Sequence, residues 1–245
     1  MPAYFDEGGA VYNVKAPAYG IFGDNINNDA EKLQQLLDLI ADNGGGVAYF
    51  PPNPLDINNE PTPYLLGMTD NGNVIQVPES VTIHIAQGAI LRMFDLAAGP
   101  TPLYLHGRLE CGCYRIFHDL SESPVPLVLA DSAPAEVRPE WFGAEADNVY
   151  DDALGQDDLS QLTDATSALR ASLASLPRVG GVICFLPGQY LVTSEIVIDK
   201  NAVLFRGAGR QGNASAGTKQ HGSYLAFGGG GVRTGTEGAC CGSRG

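Results

Sequence analysis

Apolar residues along this chain recur in two rhythms. Leu33, Leu36, Leu37 and Ile40 return at intervals of three and four, which sets them on one face of a helix. Leu169, Leu173 and Leu176 repeat that rhythm further on. The other apolar runs are short: Tyr64-Leu65-Leu66, Val74-Ile75-Gln76-Val77, Val81-Thr82-Ile83-His84-Ile85, Ala89-Ile90-Leu91, Leu103-Tyr104-Leu105 and Leu127-Val128-Leu129. Tyr190-Leu191-Val192, Ile196-Val197-Ile198 and Ala202-Val203-Leu204-Phe205 continue the series. Gly, Pro, Asn or Asp separates them. Short strands this close together, with turns between, suit stacked solenoid coils, so the chain is expected to be mainly β.

The two helical runs head two copies of one module. The first passes from Gly23-Asp24 through Asn28-Asp29 to Gly44-Gly45-Gly46-Val47 and Pro51-Pro52. The second passes from Gly143-Ala144 through Thr163-Asp164-Ala165-Thr166 to Gly180-Gly181-Val182 and Pro187-Gly188-Gln189-Tyr190. Asp29 to Asp164, Gly46 to Gly181 and Pro52 to Pro187 all lie 135 positions apart. Such self-similarity signals a repetitive architecture. Short polar side chains at 28–29 and 163–164 suit helix N-termini, because their oxygens accept from the first free amides. Helices are expected near 29–42 and 164–176. Glycine ends the first helix, and proline ends the strand that follows, since it cannot donate to a ladder. On this pattern Asp29 and Asp164 read as caps rather than catalysts.

The module boundaries follow. Residues 1–16 are a lead-in with strand character, 17–130 the first module, 131–140 a linker, 141–227 a second, truncated module. Residues 228–245 form a Gly-rich tail with no apolar periodicity, expected to be disordered and suggestive of a truncation or a reading-frame change.

Composition narrows the function classes. Apolar residues make up 44% of 245, enough for a sizeable core, while charged residues are only 17% and Gly numbers 31. The net charge of −14 argues against nucleic acid and anionic membranes as partners, because no basic stripe exists to displace counterions from phosphates. No apolar run approaches the roughly 18 residues a membrane span needs. No basic region followed by an apolar core opens the chain, so a cleaved signal peptide is not expected and the protein is read as cytoplasmic or exported without one. The five cysteines, Cys111, Cys113, Cys184, Cys240 and Cys241, match no paired zinc pattern. Cys111 and Cys113, with His106 and His118 nearby, could supply only half a metal site. Cys184 reads as a small buried hydrophobe.

The module as a whole resembles the opening of the pectate-lyase-like superfamily of right-handed parallel β-helices. The residues that carry the likeness are Gly143-Ala144, Asp164-Ala165-Thr166, Gly180-Gly181-Val182 and Pro187-Gly188-Gln189-Tyr190. In the first copy they are Gly23-Asp24, Asn28-Asp29, Gly45-Gly46-Val47 and Pro51-Pro52, with a departure at Asn53 where the family has Gly. The stretch between, including Val77-Pro78-Glu79-Ser80-Val81-Thr82, Gly88-Ala89-Ile90-Leu91, Leu109-Glu110-Cys111-Gly112-Cys113 and Pro139-Glu140-Trp141-Phe142-Gly143-Ala144, is similar to regions ahead of β-helices in bacteriophage tailspike-like and bacterial polysaccharide-acting proteins. The resemblance implies two tandem β-helix modules with short capping helices that close the ends of the coils. It also implies a polysaccharide partner, a homotrimer or other virion tail proteins as assembly partners, and a virion-tail or extracellular location. The expected function is a tailspike-like or surface polysaccharide-recognising protein. A tandem β-helix glycoside hydrolase or lyase, and a purely structural tail component, stand as alternatives.

No catalytic set can be assigned. Hydrolysis needs two carboxylates, and Asp24, Asp147, Asp151, Asp152, Asp157, Asp158 and Glu195 are candidates, with Asp70, Glu79 and Asp95 in the first module. The acidic run from Asp147 to Asp158 is a solvated loop or a calcium site, since clustered carboxylates suit hard cations. No other cofactor is expected. Lyase chemistry would draw on Lys200, Arg206 and Arg210, for which solvation of a coil edge is the plainer role. Because only about three strands follow the second helix, too few coils remain for a complete catalytic surface.

Overall fold

The computed structural model describes residues 4–6, 9–67, 69, 74–94, 102–118, 120–121, 124–131, 133, 135–147, 162–207, 223–227 and 232–234. Strand accounts for 32% and helix for 16%, so the chain is mixed, with strand predominating. An antiparallel hairpin, β1 (Tyr4–Asp6) and β2 (Gly9–Asn13), comes first, followed by helix α1 (Ala30–Asp42). The chain then makes successive circuits. The first runs through β3 (Gly46–Phe50), β4 (Tyr64–Leu66) and β5 (Gln76–Val77). The second runs through β6 (Val81–Ile85), β7 (Leu91–Met93) and β8 (Leu103–Leu105). The third has β9 (Arg108–Glu110), a single bridge at Phe117, and β10 (Leu127–Leu129). Next come β11 (Glu136–Val137), a 3₁₀ turn at Pro139–Phe142 and helix α2 (Thr166–Ser175). The described chain closes with β12 (Gly181–Cys184), β13 (Gly188–Val192), β14 (Ile196–Ile198), β15 (Val203–Arg206), β16 (Ser223–Phe227) and β17 (Val232–Thr234).

Apart from the opening hairpin, every pairing between these strands is parallel, and each joins one circuit to the next. β2, β3, β6 and β9 form one ladder, β4 and β7 a second, and β5, β8 and β10 a third. After β11 the same order returns as β11–β12–β15, β13–β16 and β14–β17. Thr82 pairs with Arg108, and Leu91 bridges Phe117, in each case 26 positions on. Alternation along each strand turns Ala48, Phe50, Ile83, Ile85, Leu103 and Leu105 inward, where all are buried. One apolar cluster runs from Val14 to Ile196 without a break.

The sequence suggests a linker over 131–140. These residues contain β11, which pairs with β12, and the buried Ala133, so the core passes through them. Within the tail expected to be disordered, Val232–Thr234 pairs in parallel with β14, a short strand whose two β-branched residues suit a pleated ladder.

The helices differ in what surrounds them. α1 buries one face, with Ala30, Leu33, Leu36, Leu37 and Ile40 inward. α2 buries seven of its ten residues and packs on the 3₁₀ turn, on β10 and on β14. It therefore lies between the first and second sets of strands, where end closure was expected of it. Its small residues make this possible, because the buried Ser172 and Ser175 hydroxyls donate back to the carbonyls of Ala168 and Ala171.

The repeat is visible in the hydrogen bonds, with one shift. Asp164 Oδ1 accepts from the amide of Thr166, the first residue of α2, at 2.9 Å, and its other oxygen accepts from Thr193 Oγ1 at 2.7 Å. In the first copy that work falls to Asn28, whose Oδ1 accepts from Ala30 N at 3.1 Å and Gly67 N at 2.9 Å. Asp29 occupies the place of Ala165: their amides donate to Leu65 O and Leu191 O respectively. Asp29 is not the side-chain cap expected of it. Its buried carboxylate instead accepts from Phe22 N and Gly23 N, fixing the loop before α1. The copies thus align at an offset of 136 through the helices, so the second is one residue shorter just after its helix, where Gly45 and Gly180 stand 135 apart, and shorter again before the next strand, where Tyr64 and Tyr190 stand 126 apart.

Beyond that point the match continues. Phe50 meets Tyr64 edge to face at 5.2 Å between ring centres, and Phe185 meets Tyr190 in the same way at 5.1 Å. The two copies differ beneath these rings. Pro51 has no N–H, and its carbonyl accepts from Tyr64 OH at 2.8 Å. Its counterpart Leu186 has an N–H to satisfy. Buried Glu140 supplies the acceptor at 3.0 Å and takes the Tyr190 hydroxyl on the same oxygen.

Two outcomes test this account. Asp164→Ala is expected to cost about 1 kcal/mol at neutral pH, as loss of a cap does. Burial alone would raise the Asp164 pKa, but hydrogen bonds from Thr166 and Thr193 hold it below its ordinary 3.8. The ionised group's contribution is therefore present above that value and lost as pH falls through the lower folded pKa. Denaturant titrations of both proteins should converge in acid. Gly180→Ala is expected to destabilise by on the order of 3 kcal/mol or more: φ there is +100°, and a Cβ would fall 1.5 Å from Ala202 O. Chemical denaturation would measure it.

Candidate functional site

β9 ends the sheet that begins with the hairpin, and β11 begins the next. These neighbouring rungs do not pair with each other, although the chain stays joined one corner further on, where Ile116 N and Phe117 N both donate to Trp141 O. A cleft of about 420 Å³ lies along the open seam. Leu105, Leu109, Leu129 and Trp141 give it an apolar floor, and Arg108, Glu110, Cys111, Glu136 and Arg138 line it with polar groups. Trp141 is fixed by its indole N–H, which donates to Gly112 O at 2.9 Å. An apolar cavity carrying a few convergent polar groups is the usual form of a ligand site.

Strand alternation explains why the charges face outward. In Arg108-Leu109-Glu110 and in Glu136-Val137-Arg138 the central residue turns towards the core and its charged neighbours turn away. The outer rows of the first ladder lead to the cleft. Thr82 stands beside Arg108, while Tyr49 stands beside His84 and His84 beside Glu110. The Tyr49 and His84 rings meet edge to face at 5.5 Å, and His84 Nδ1 lies 3.7 Å from Glu110 Oε2.

On the far side, Glu136 Oε2 accepts from Arg206 Nη2 at 2.6 Å, and Arg138 Nη2 lies 3.6 Å from its other oxygen. Burial opposes ionisation of Glu136, but hydrogen bonds from Arg206 and the Cys184 thiol, with the charge of Arg138, hold its pKa below the ordinary 4.5. Cys184 is buried as expected, yet it is not simply an apolar filler. Burial and the adjacent Glu136 raise its pKa. Burial also pushes the Cys111 thiol up to about 12, so it is uncharged at neutral pH.

Among the described residues, the acids singled out from sequence are each engaged separately. Asp24 accepts from the amides of Ile26 and Asn27 and organises its own turn. Asp147 accepts from Thr163 N. Glu195 presents its backbone carbonyl to Arg170. Glu79 is exposed in the turn after β5. Lys200 follows β14 in a bend, and Arg206, its side chain 55% exposed, bonds Glu136 across β12. Asp70, Asp95, Asp151, Asp152, Asp157, Asp158 and Arg210 lie outside the described residues. His106 bonds Gln76, and among the described residues no three His, Cys, Asp or Glu side chains are grouped to hold a metal. The cleft residues had one available signal, the mirrored triplets Arg-Leu-Glu and Glu-Val-Arg.

No family model matches the chain, and no curated protein or solved structure matches it at a significant level. Among the described residues, no helix is long and apolar enough to cross a membrane.

The pairing of Glu136 is open to direct measurement. A carboxyl ¹³C titration is expected to place the Glu136 midpoint below 4.5. Arg206→Ala should move it upward, since the guanidinium favours the charged form.

Proposed function

We propose that this chain is a polysaccharide-recognising protein of the parallel β-helix, tailspike-like kind, and that the described circuits are coils of one right-handed solenoid. The observation that carries the reading is the return of three parallel ladders in fixed order, circuit after circuit, with a cleft opening on their outer face. Right-handedness follows the general preference of parallel crossovers. An extended polymer suits such a surface, because successive strands offer rows of outward side chains at a spacing of about 4.8 Å. Tyr49, His84, Glu110 and Arg108 form such rows and lead into the seam.

Hydrolysis is the second reading, and one observation favours it: Glu110 and Glu136 line the same cleft. Hydrolysis by a carboxylate pair also requires one member to be a protonated acid. Glu136 is held ionised by Arg206, which withholds it from the acid's part.

The purified chain should therefore retain polysaccharide in affinity electrophoresis while releasing neither reducing ends nor unsaturated uronates from capsular, pectic and β-glucan substrates. Multiple turnover on any of them, lost in Glu136→Gln, would replace recognition by hydrolysis. Absence of binding across the panel would defeat both readings.

A further inference from the structure

The seam cleft combines two kinds of group that a single ligand class would use together. Arg108 is exposed and makes no hydrogen bond or ion pair among the described residues. Arg138 is only loosely engaged, because Arg206 holds Glu136 at 2.6 Å and leaves Arg138 at 3.6 Å. Two guanidiniums with donors to spare therefore face one cavity in a chain that has only 14 basic residues and a net charge of −14. A guanidinium fork matches the geometry of a carboxylate, and the bond is charge-assisted. Glu110 and Glu136 stand in the same lining and accept hydrogen bonds only. They would repel a bare anion but take hydroxyl protons. The floor of Leu105, Leu109, Leu129 and Trp141 suits the apolar face of a ring.

We infer that the cleft between β9 and β11 binds an acidic saccharide. Its carboxylate is held by Arg108 and Arg138, its hydroxyl groups are taken by Glu110 and Glu136, and its ring lies over the Trp141 floor. This rests on the polysaccharide reading above and names the sugar class and the anchoring residues. A neutral sugar leaves both guanidiniums unused, and a small inorganic anion meets the two glutamates without hydroxyls to offer them.

The test uses the whole chain, with calorimetry against alginate, carboxyl-reduced alginate, dextran and dextran sulfate. Alginate is expected to bind. Carboxyl-reduced alginate and dextran are expected to bind at least about tenfold more weakly, the scale of one charge-assisted hydrogen bond. Arg108→Ala should lose about as much affinity for alginate with an unchanged melting temperature, because its side chain makes no hydrogen bond or ion pair among the described residues. Arg178→Ala removes an equal charge from an exposed turn elsewhere and should bind like the parent. Equal binding of alginate and its reduced form, or an Arg108→Ala variant with parental affinity, would overturn the inference and leave polysaccharide recognition standing. Dextran sulfate binding as tightly as alginate would overturn the carboxylate assignment. Failure of all four polymers to bind would overturn the inference and the polysaccharide reading together.

Discussion

Strands of two to five residues cannot hold themselves together. Each described strand here is that short, and all but β1 pair in parallel with a strand of a neighbouring circuit. The requirement reaches into the turns. Where a strand begins, its backbone must come close to the residue before the next rung. At Gly45 an added Cβ would lie 2.5 Å from Ser80 O, and at Gly180 it would lie 1.5 Å from Ala202 O. Both glycines have positive φ, near +100°, and both precede a strand whose first amide donates to that same carbonyl. The Gly-Gly pair that recurs in the sequence is thus a consequence of the ladder spacing, and the repeat persists where the spacing demands it.

The parts of the fold legible in the sequence were those governed by period and by turn chemistry. The apolar spacing located both helices to within a residue or two, and strand boundaries followed Gly and Pro. Side-chain targets were less legible. Asn28 and Asp29 are adjacent, and either could cap α1 by composition. Asn28 takes the helix amide, while Asp29 is drawn into the core by two amides of the loop at residues 22–23. The outcome depends on where that loop passes, which local pattern does not encode. The three leucines at 169, 173 and 176 suggest an amphipathic helix. The alanines and serines of α2 allow burial on nearly every side, and what covers them becomes clear only once β10 and β14 are in place.

The seam was illegible for a related reason. Arg108-Leu109-Glu110 and Glu136-Val137-Arg138 each look like an ordinary edge strand with one inward residue. Neither triplet reveals that the two are neighbouring rungs left unpaired. Of the acidic run that did stand out in composition, Asp147 is described: its side chain accepts from Thr163 N, and its backbone bridges Gln189. Charge density along a chain and charge convergence in space are different quantities, and only the second makes a site.

The interrupted ladder also explains how a cleft can exist in so repetitive a fold. A continuous parallel ladder presents outward side chains on a closed backbone surface and offers little depth. Where β9 and β11 separate, a cleft opens whose apolar lining, Leu105, Leu129 and Trp141, is itself almost wholly covered. Opening the seam forgoes backbone hydrogen bonds between two rungs. The fold remains continuous there because the next corner is tied by Ile116 and Phe117 to Trp141 O and because α2 packs on the circuits either side. Trp141 serves both ends: its carbonyl joins the circuits, and its ring forms the floor. A cleft placed at this seam is tied to the same residue that keeps the stack together, so its shape follows that of the fold.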